Sequence, residues 1–438
     1  MRNEQLQLQQ YMHKHLIGEY KEKYKIAYVS LIKYLCEKHA KRDKWSKSMI
    51  VLMKECLTLE SEYMTVRIDD KKNIFFDEKR SRFLKYKFYK FRYFLLTDCL
   101  FVVAFNDKKK GKDILEEISE LFPKNKKKLE RLFNCFYSID MEIINNEFQG
   151  MVDIYEILNN NRQFIEQPLK RIMITANMSA GKSTLLNALA GKKVNKTQND
   201  TCTAKIHYLY NKAGEDGLSY EFDYDLELNA TQEILMQDNE DNNTLEIVVG
   251  TRFRSLNEIN NRICFIDTPG VNSSQNKEHR ELTNEFISDK NCELLLYLLN
   301  GENIGTDDDI RHLKYVKERY NGEILFVVNK LDRFKKDVDS VQGTLTKVKE
   351  DLEKLGYKEP KVYPISAYAA YLAKMMLYEG KLTEDELDDL DFRKRKLSKS
   401  EFQYYQYYDV EIPQIDENSE LENLLRNSGI LSLEKMLY

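Results

Sequence analysis

The stretch Ala176-Asn-Met-Ser-Ala-Gly-Lys-Ser183 constrains this chain more than any other part of it. An apolar run, Ile172-Met-Ile-Thr175, precedes it. A helix-like run, Thr184-Leu-Leu-Asn-Ala-Leu-Ala190, follows it and stops at Gly191. Strand, tight loop and helix in that order are the setting a phosphate-binding loop requires. Backbone N–H groups of such a loop curl around phosphate oxygens, and the helix N-terminus adds its positive dipole. Lys182 is placed to reach β- and γ-phosphates, and Ser183 to put its hydroxyl on Mg2+. The candidate nucleotide contacts here are Asn177, Met178, Ser179, Ala180, Gly181, Lys182, Ser183 and Thr184. Ala176 replaces the usual first glycine, which is mild where the backbone stays out of the left-handed region.

Three further segments follow, each at the end of an apolar run. Asp267-Thr-Pro-Gly270 follows Ile263-Cys-Phe-Ile266. Asp267 is expected to hold Mg2+, usually through water, and Gly270 to offer its N–H to a γ-phosphate. Asn329-Lys-Leu-Asp332 follows Ile324-Leu-Phe-Val-Val328. A carboxylate at Asp332 pairs with N1–H and the exocyclic amino group of guanine. Adenine presents the opposite pattern, so this segment selects GTP over ATP. Lys330 packs its stem along the base. Ser366-Ala367 follows Val362-Tyr-Pro-Ile365, where backbone meets the guanine oxygen. Continuous apolar runs, with Leu294-Leu-Leu-Tyr-Leu-Leu299 added, are what parallel strands covered on both faces require. Alternation at Ile206–Tyr210 and Leu245–Phe253 predicts antiparallel edge strands. The fold class is therefore α/β: a P-loop GTPase domain whose mostly parallel sheet is flanked by helices.

Together these residues resemble the GTP-binding domain of the dynamin superfamily, particularly its bacterial dynamin-like members. The resemblance runs from roughly Arg171 to Ala373 and returns at Ser428–Leu437, which looks like the helix that closes such a domain. Asn199-Asp-Thr-Cys-Thr-Ala204 is similar to the family's first switch. The resemblance implies Thr203 as a Mg2+ ligand beside Ser183 and Asp267, with Thr201 as the rival. Val271, after Gly270, has no group to orient water. In this family a loop Ser or Gln does that work, helped by a monovalent cation (K+ or Na+) and by a second GTPase domain facing the first. Ser179, with Lys182 and Thr203, is thus implied as catalytic, and a homodimer through the GTPase domain as the working state. Family members carry a helical stalk after this domain. Either the helical region before it takes that place, or the sequence is a piece of a longer chain.

No Gly or Pro occurs between Gly18 and Gly111, and Tyr24, Tyr28, Leu31, Leu35 and Met49, Met53, Cys56 recur at helical spacing. An all-α domain is expected over 1–165, broken at Asp69–Asn73. The GTPase domain follows over 166–380, a charged, Tyr-rich insertion or linker over 381–418, and the closing helix over 419–438. In the insertion, the acidic run Glu384–Asp389 is expected to pair with Arg393-Lys-Arg-Lys396, and Tyr404–Tyr408 to pack on the neighbouring domain. Phe94–Phe105 is too short to span a bilayer and Asp98 interrupts it, so it reads as a buried helix with charged ends.

The net charge of −4 argues against nucleic acid as a general partner. Seven scattered Cys fit a reducing cytoplasm. His13 and His15 are expected at the surface. Basic runs at Lys108–Lys112 and Lys124–Lys128 are expected as solvated helix ends, with anionic lipid as the alternative. The expected activity is Mg2+-dependent hydrolysis of GTP to GDP, coupled to movement of the helical domain. Its place is the cytoplasm or, peripherally, the inner face of a membrane. The alternative is a slow GTP-dependent switch or scaffold acting through protein partners.

Overall fold

A computed structural model describes residues 11–12, 14–76, 79–80, 88–177, 179–195, 205–223, 225–237, 246–267, 292–335 and 340–438. His13, Met178, Thr201, Thr203, Gly270 and Val271 lie outside the described residues. The chain divides into two units. One comprises residues 1–166 with 213–220 and 225–229; the other comprises 167–212, 221–224 and 230–438.

The first unit is helical, as the periodicity requires. Its long helices run over Glu22–Ala40, Lys44–Cys56, Arg92–Val103, Lys108–Leu121, Lys126–Ser138 and Val152–Glu166. Tyr28, Leu31, Leu35, Met49 and Met53 all face its core. The break at Asp69–Asn73 is a hairpin turn. It joins Val66–Ile68 to Ile74–Phe76, and Lys79–Arg80 adds a third short strand, so the unit is not purely helical. Asp69 caps the turn by accepting the Asn73 N–H at 2.7 Å. The Phe94–Phe105 run forms the buried helix expected of it. Asp98 lies inside, 1% exposed; it accepts from Tyr11 and from Tyr28 at 2.5 Å, and His15 Nε2 lies 3.2 Å from its Oδ2. His15 is thus a core residue, 2% exposed, and not the surface residue its isolated position suggested. A buried carboxylate needs polar neighbours, and His15 is one of them. Among the described residues no helix is long and apolar enough to cross a membrane.

The second unit is built on a sheet. Seven of the sheet's nine described strands matter here: β1 (Leu169–Ala176), β2 (Ile206–Asn211), β3 (Glu246–Thr251), β4 (Arg262–Asp267), β5 (Leu294–Asn300), β6 (Glu323–Asn329) and β7 (Lys361–Ile365). They lie in the order β7-β6-β5-β1-β4-β2-β3. From β7 to β4 every pairing is parallel. Residues 294–299 of β5 are all buried, as a strand covered on both faces must be. β2 runs antiparallel to β4, the direction expected of it, but it lies inside the sheet between β4 and β3 and not at an edge. β3 then pairs parallel to β2, so the two reversed strands share one direction.

Register sets the site. Ile174 is opposite Asp267, Asn300 opposite Asn329, and Asn329 opposite Ile365. The loops after β1, β4, β6 and β7 therefore leave from one edge, the carboxyl ends of the parallel strands, where open α/β sheets bind ligands.

Seven helices matter here: α1 (Lys182–Ala190), α2 (Asp307–Arg319), α3 (Val341–Lys354), α4 (Ala367–Tyr378), α5 (Glu384–Leu397), α6 (Glu420–Asn427) and α7 (Ile430–Leu437). α5 is defined by sequence chemistry: Thr383 and Glu386 form a capping box, acidic residues fill its first turn and basic residues its last. α7 is fastened by a fully buried ion pair between Lys374 and Glu434, with both side chains at 0% exposure. Lys374 also donates to the Arg254 carbonyl at 2.6 Å, and Glu434 accepts from Ser255 and from Asn257 at 3.3 Å.

Candidate nucleotide-binding site

The loop between β1 and α1 turns tightly because two residues adopt left-handed backbone. Ser179 has φ +59° and Gly181 has φ +94°. Glycine takes this region freely, whereas serine is held there at a cost of about 1–2 kcal/mol. Gly181 is also required sterically: a Cβ there would lie 2.5 Å from Asn329 Nδ2. α1 begins at Lys182 with Gly181 as its cap and no side-chain capping bond, so its first N–H groups face the loop. Ala176 ends β1 inside the strand region, consistent with its mild replacement of glycine.

Lys182 does not point into solvent. Its Nζ lies 2.8 Å from Asp267 Oδ1, with side-chain exposures of 12% and 2%. Asp267 Oδ2 also accepts from Asn195 Nδ2 at 3.3 Å. Asn195 is positioned by Asn187 on α1, whose Oδ1 accepts the N–H groups of Val194 at 2.9 Å and Asn195 at 2.8 Å. A buried asparagine on α1 thus holds the chain that bears a neighbour of Asp267. Sequence reasoning passed over both asparagines.

Asn329 joins the two halves of the site. Its Nδ2 donates to the Ala180 carbonyl at 2.8 Å, and its Oδ1 accepts the Ala367 N–H at 3.0 Å. The Gly301 N–H donates to the Asn329 backbone carbonyl at 2.8 Å. Lys330, with φ +69°, returns its ammonium to the Ser179 carbonyl at 2.6 Å. Asn300 Nδ2 reaches the same carbonyl at 3.5 Å. Burial, and then the neighbouring Arg333, push the Lys330 ammonium below its ordinary pKa. Ser366 is fully buried and caps α4, accepting the Ala369 N–H at 3.4 Å.

On the other side of β1, Asn177 donates to Asp309 in the first turn of α2. Behind it Thr175 Oγ1 lies 3.0 Å from His312 Nε2. Burial, reinforced by the charge of Lys182, pushes the His312 imidazole down to about 4. Asp309 and His312 are further residues the sequence pattern did not single out. The only trace of Asp309 is the Thr306-Asp-Asp-Asp309 run, a helix-start signature.

The structure therefore brings Ser179, Ala180, Gly181, Lys182, Asp267, Asn329, Lys330 and Ala367 together. Ser183 and Thr184 occupy the first turn of α1, next to that group. Asp332 stands three residues beyond Asn329, 4% exposed. Among the described residues no group of three or more His, Cys, Asp or Glu side chains could hold a metal ion. All six described cysteines are free thiols.

A glycine-pivoted phosphate loop, a lysine on the carboxylate of the next strand, and an asparagine binding that loop to the segment after the last strand define a P-loop GTPase fold. Residues 172–331 match the model of the Dynamin family. The chain is 25% identical over 212 residues to a probable transmembrane GTPase FZO-like, chloroplastic, of Arabidopsis thaliana; that match covers 48% of this chain and 20% of the relative. It is 25% identical over 170 residues to dynamin-like protein A of Bacillus subtilis, covering 37% of this chain and 13% of the relative. A solved structure of an oligomerised bacterial dynamin pair, described as sensing and tethering membranes, aligns with 89% of this chain and 59% of that one. Its identity is 15% and its TM-score 0.39.

Proposed function

We propose that this chain binds GTP and hydrolyses it to GDP and phosphate with Mg2+. One observation carries most of the weight: a single buried side chain, Asn329, bonds both the phosphate loop and the Ser366–Ala367 segment. Base and phosphate contacts are thereby built as one piece. In this reading Asn177, Met178, Ser179, Ala180, Gly181, Lys182, Ser183 and Thr184 hold the phosphates. Asp332 and Lys330 hold the base, and Ser366–Ala367 meets its oxygen.

Ser183, Thr203 and Asp267 are the donors proposed for magnesium, and they fit it: hydroxyl and carboxylate oxygens suit a hard cation that keeps several waters. Magnesium would supply charge neutralisation at the phosphate oxygens. Lys182 must leave Asp267 for a phosphate when nucleotide enters, and a flexible ammonium can do so. The left-handed Ser179 is the residue proposed to orient the attacking water, since strain of this kind concentrates at functional positions. A monovalent cation and a second copy facing the site, forming a homodimer through this domain, complete the proposal.

Coupling to the helical unit and a peripheral membrane setting are the wider expectation. Relatives that carry a GTPase or dynamin name are at least three times longer than the matched part, so these belong to the proposal as well. Calorimetry with GTP and ATP tests the base assignment: equal affinities would sink it. Turnover measured against protein concentration tests the mechanism. Specific activity should rise with concentration, and Ser179→Ala should lose on the order of 10²–10³ in rate while still binding GTP. Concentration-independent turnover, unchanged in Ser179→Ala, would favour the slow switch.

A further inference from the structure

Asp332 is buried at 4% exposure, and a carboxylate this deep is costly without a countercharge. Arg393, on α5, supplies one. Its Nε lies 3.4 Å from Asp332 Oδ2, with side-chain exposures of 7% and 5%. The guanidinium is itself held from other directions. Nη1 donates to Asp389 Oδ1 at 2.7 Å and to the Asp389 carbonyl at 3.2 Å. Its Cζ lies 4.5 Å from the centre of the Tyr368 ring on α4. Tyr368 Oη in turn donates to Asp389 Oδ2 at 3.1 Å. A rigid fork, seated over a ring and bonded at its far end, can set where a neighbouring carboxylate stands.

We propose that Arg393 is a positioning residue for base selection. It fixes the plane and compensates the charge of the Asp332 carboxylate, so that both oxygens meet N1–H and the exocyclic amino group of guanine together. This rests on Asp332 being the guanine-binding carboxylate. α5 thereby becomes part of the nucleotide site, although its residues contact no base. The chemistry makes a specific demand. Guanine offers the carboxylate two donors, and hypoxanthine offers one. A carboxylate free to rotate loses the two-point match and retains most of the one-point match.

The test measures affinities of the full chain for GTP, ITP and ATP. The variants are Arg393→Gln, Arg393→Lys, Asp332→Asn and the double variant Arg393→Gln/Asp332→Asn. The parent should favour GTP over ITP by about tenfold or more, the worth of one charge-assisted bond. Arg393→Gln should remove most of that preference, weakening GTP about tenfold and ITP little. Arg393→Lys keeps the charge without the fork and should recover part of it. In the Asp332→Asn background, Arg393→Gln should leave the GTP to ITP ratio where it was.

Partial unfolding lowers both affinities by the same factor, so the ratio separates positioning from a general structural role. Equal losses for GTP and ITP in Arg393→Gln, or an unchanged ratio, would overturn the proposal. A parent that binds GTP and ATP alike would instead overturn the assignment of Asp332 itself.

Discussion

Replacing Asn329 should loosen the phosphate loop and the base-side loop at once. The side chain is 3% exposed, and it satisfies the Ala180 carbonyl at 2.8 Å and the Ala367 N–H at 3.0 Å. Alanine leaves both backbone groups without that partner. Each buried group so orphaned costs about 1–3 kcal/mol, so the two together cost about 2–6 kcal/mol. Some of this will appear as lost stability. The rest will appear as lost affinity, because binding must then order two loops that the native fold already holds. A binding share of only about 1.4 kcal/mol is a tenfold rise in Kd.

Asn329→Asp divides the effect. It keeps an acceptor for the Ala367 N–H but sets a second acceptor against the Ala180 carbonyl. The assay is Kd for a fluorescent GTP analogue together with amide exchange over residues 176–183 and 366–370. Asn329→Ala should raise exchange in both segments, and Asn329→Asp mainly in the first. Both should weaken GTP about tenfold or more. Affinity within about threefold of the parent in both variants, with exchange unchanged, would refute the idea that this side chain preorganises the site.

Lys182→Ala should abolish nucleotide binding or turnover, and it should also lower thermal stability, because Asp267 loses the ammonium now 2.8 Å from it. Lys374→Met should cost about 3–5 kcal/mol in denaturant unfolding of the second unit, since Glu434 would stay buried without its cation. Pairing it with Glu434→Leu should recover much of that. His312 gives a pH signature. Its imidazole titrates near 4 in the fold against an ordinary 6.5. The unfolded chain therefore takes up the proton first as pH falls. The stabilisation is complete above about 6.5 and is lost progressively down to about 4, by about 3 kcal/mol in all. His312→Gln should flatten the stability profile across that window, and an unchanged acid limb would contradict the buried neutral imidazole.

Much of the fold was legible because it depends on local periodicity. Leu294–Leu299 reads as a strand covered on both faces, and all six residues are buried. Ile206–Tyr210 alternates and is the first reversed strand. That Glu246–Thr251 then runs parallel to it was not legible, since alternation reports faces and says nothing of a neighbour's direction. His15 was misjudged for a related reason. Its burial follows from Asp98, 83 residues away, which needs polar neighbours inside an otherwise apolar helix. No periodic pattern near His15 announces that demand.

The site divides along the same line. Each motif residue sits at a strand end, where an apolar run stops, and is visible for that reason. The residues that hold the motifs in place are set by long-range contacts. Asn329 opens the segment that selects the base, yet what its side chain touches is backbone from two other loops. Arg393 lies inside the basic run Arg393–Lys396, which is expected only to pair with the acidic run Glu384–Asp389. Helical spacing separates it from the others. Leu390, Arg393 and Leu397 are the buried residues of α5, at intervals of three and four. A charged residue in the apolar stripe of a helix implies a buried counterpart. Here that counterpart is Asp332, so the helix that seemed an insertion carries a determinant of the base site.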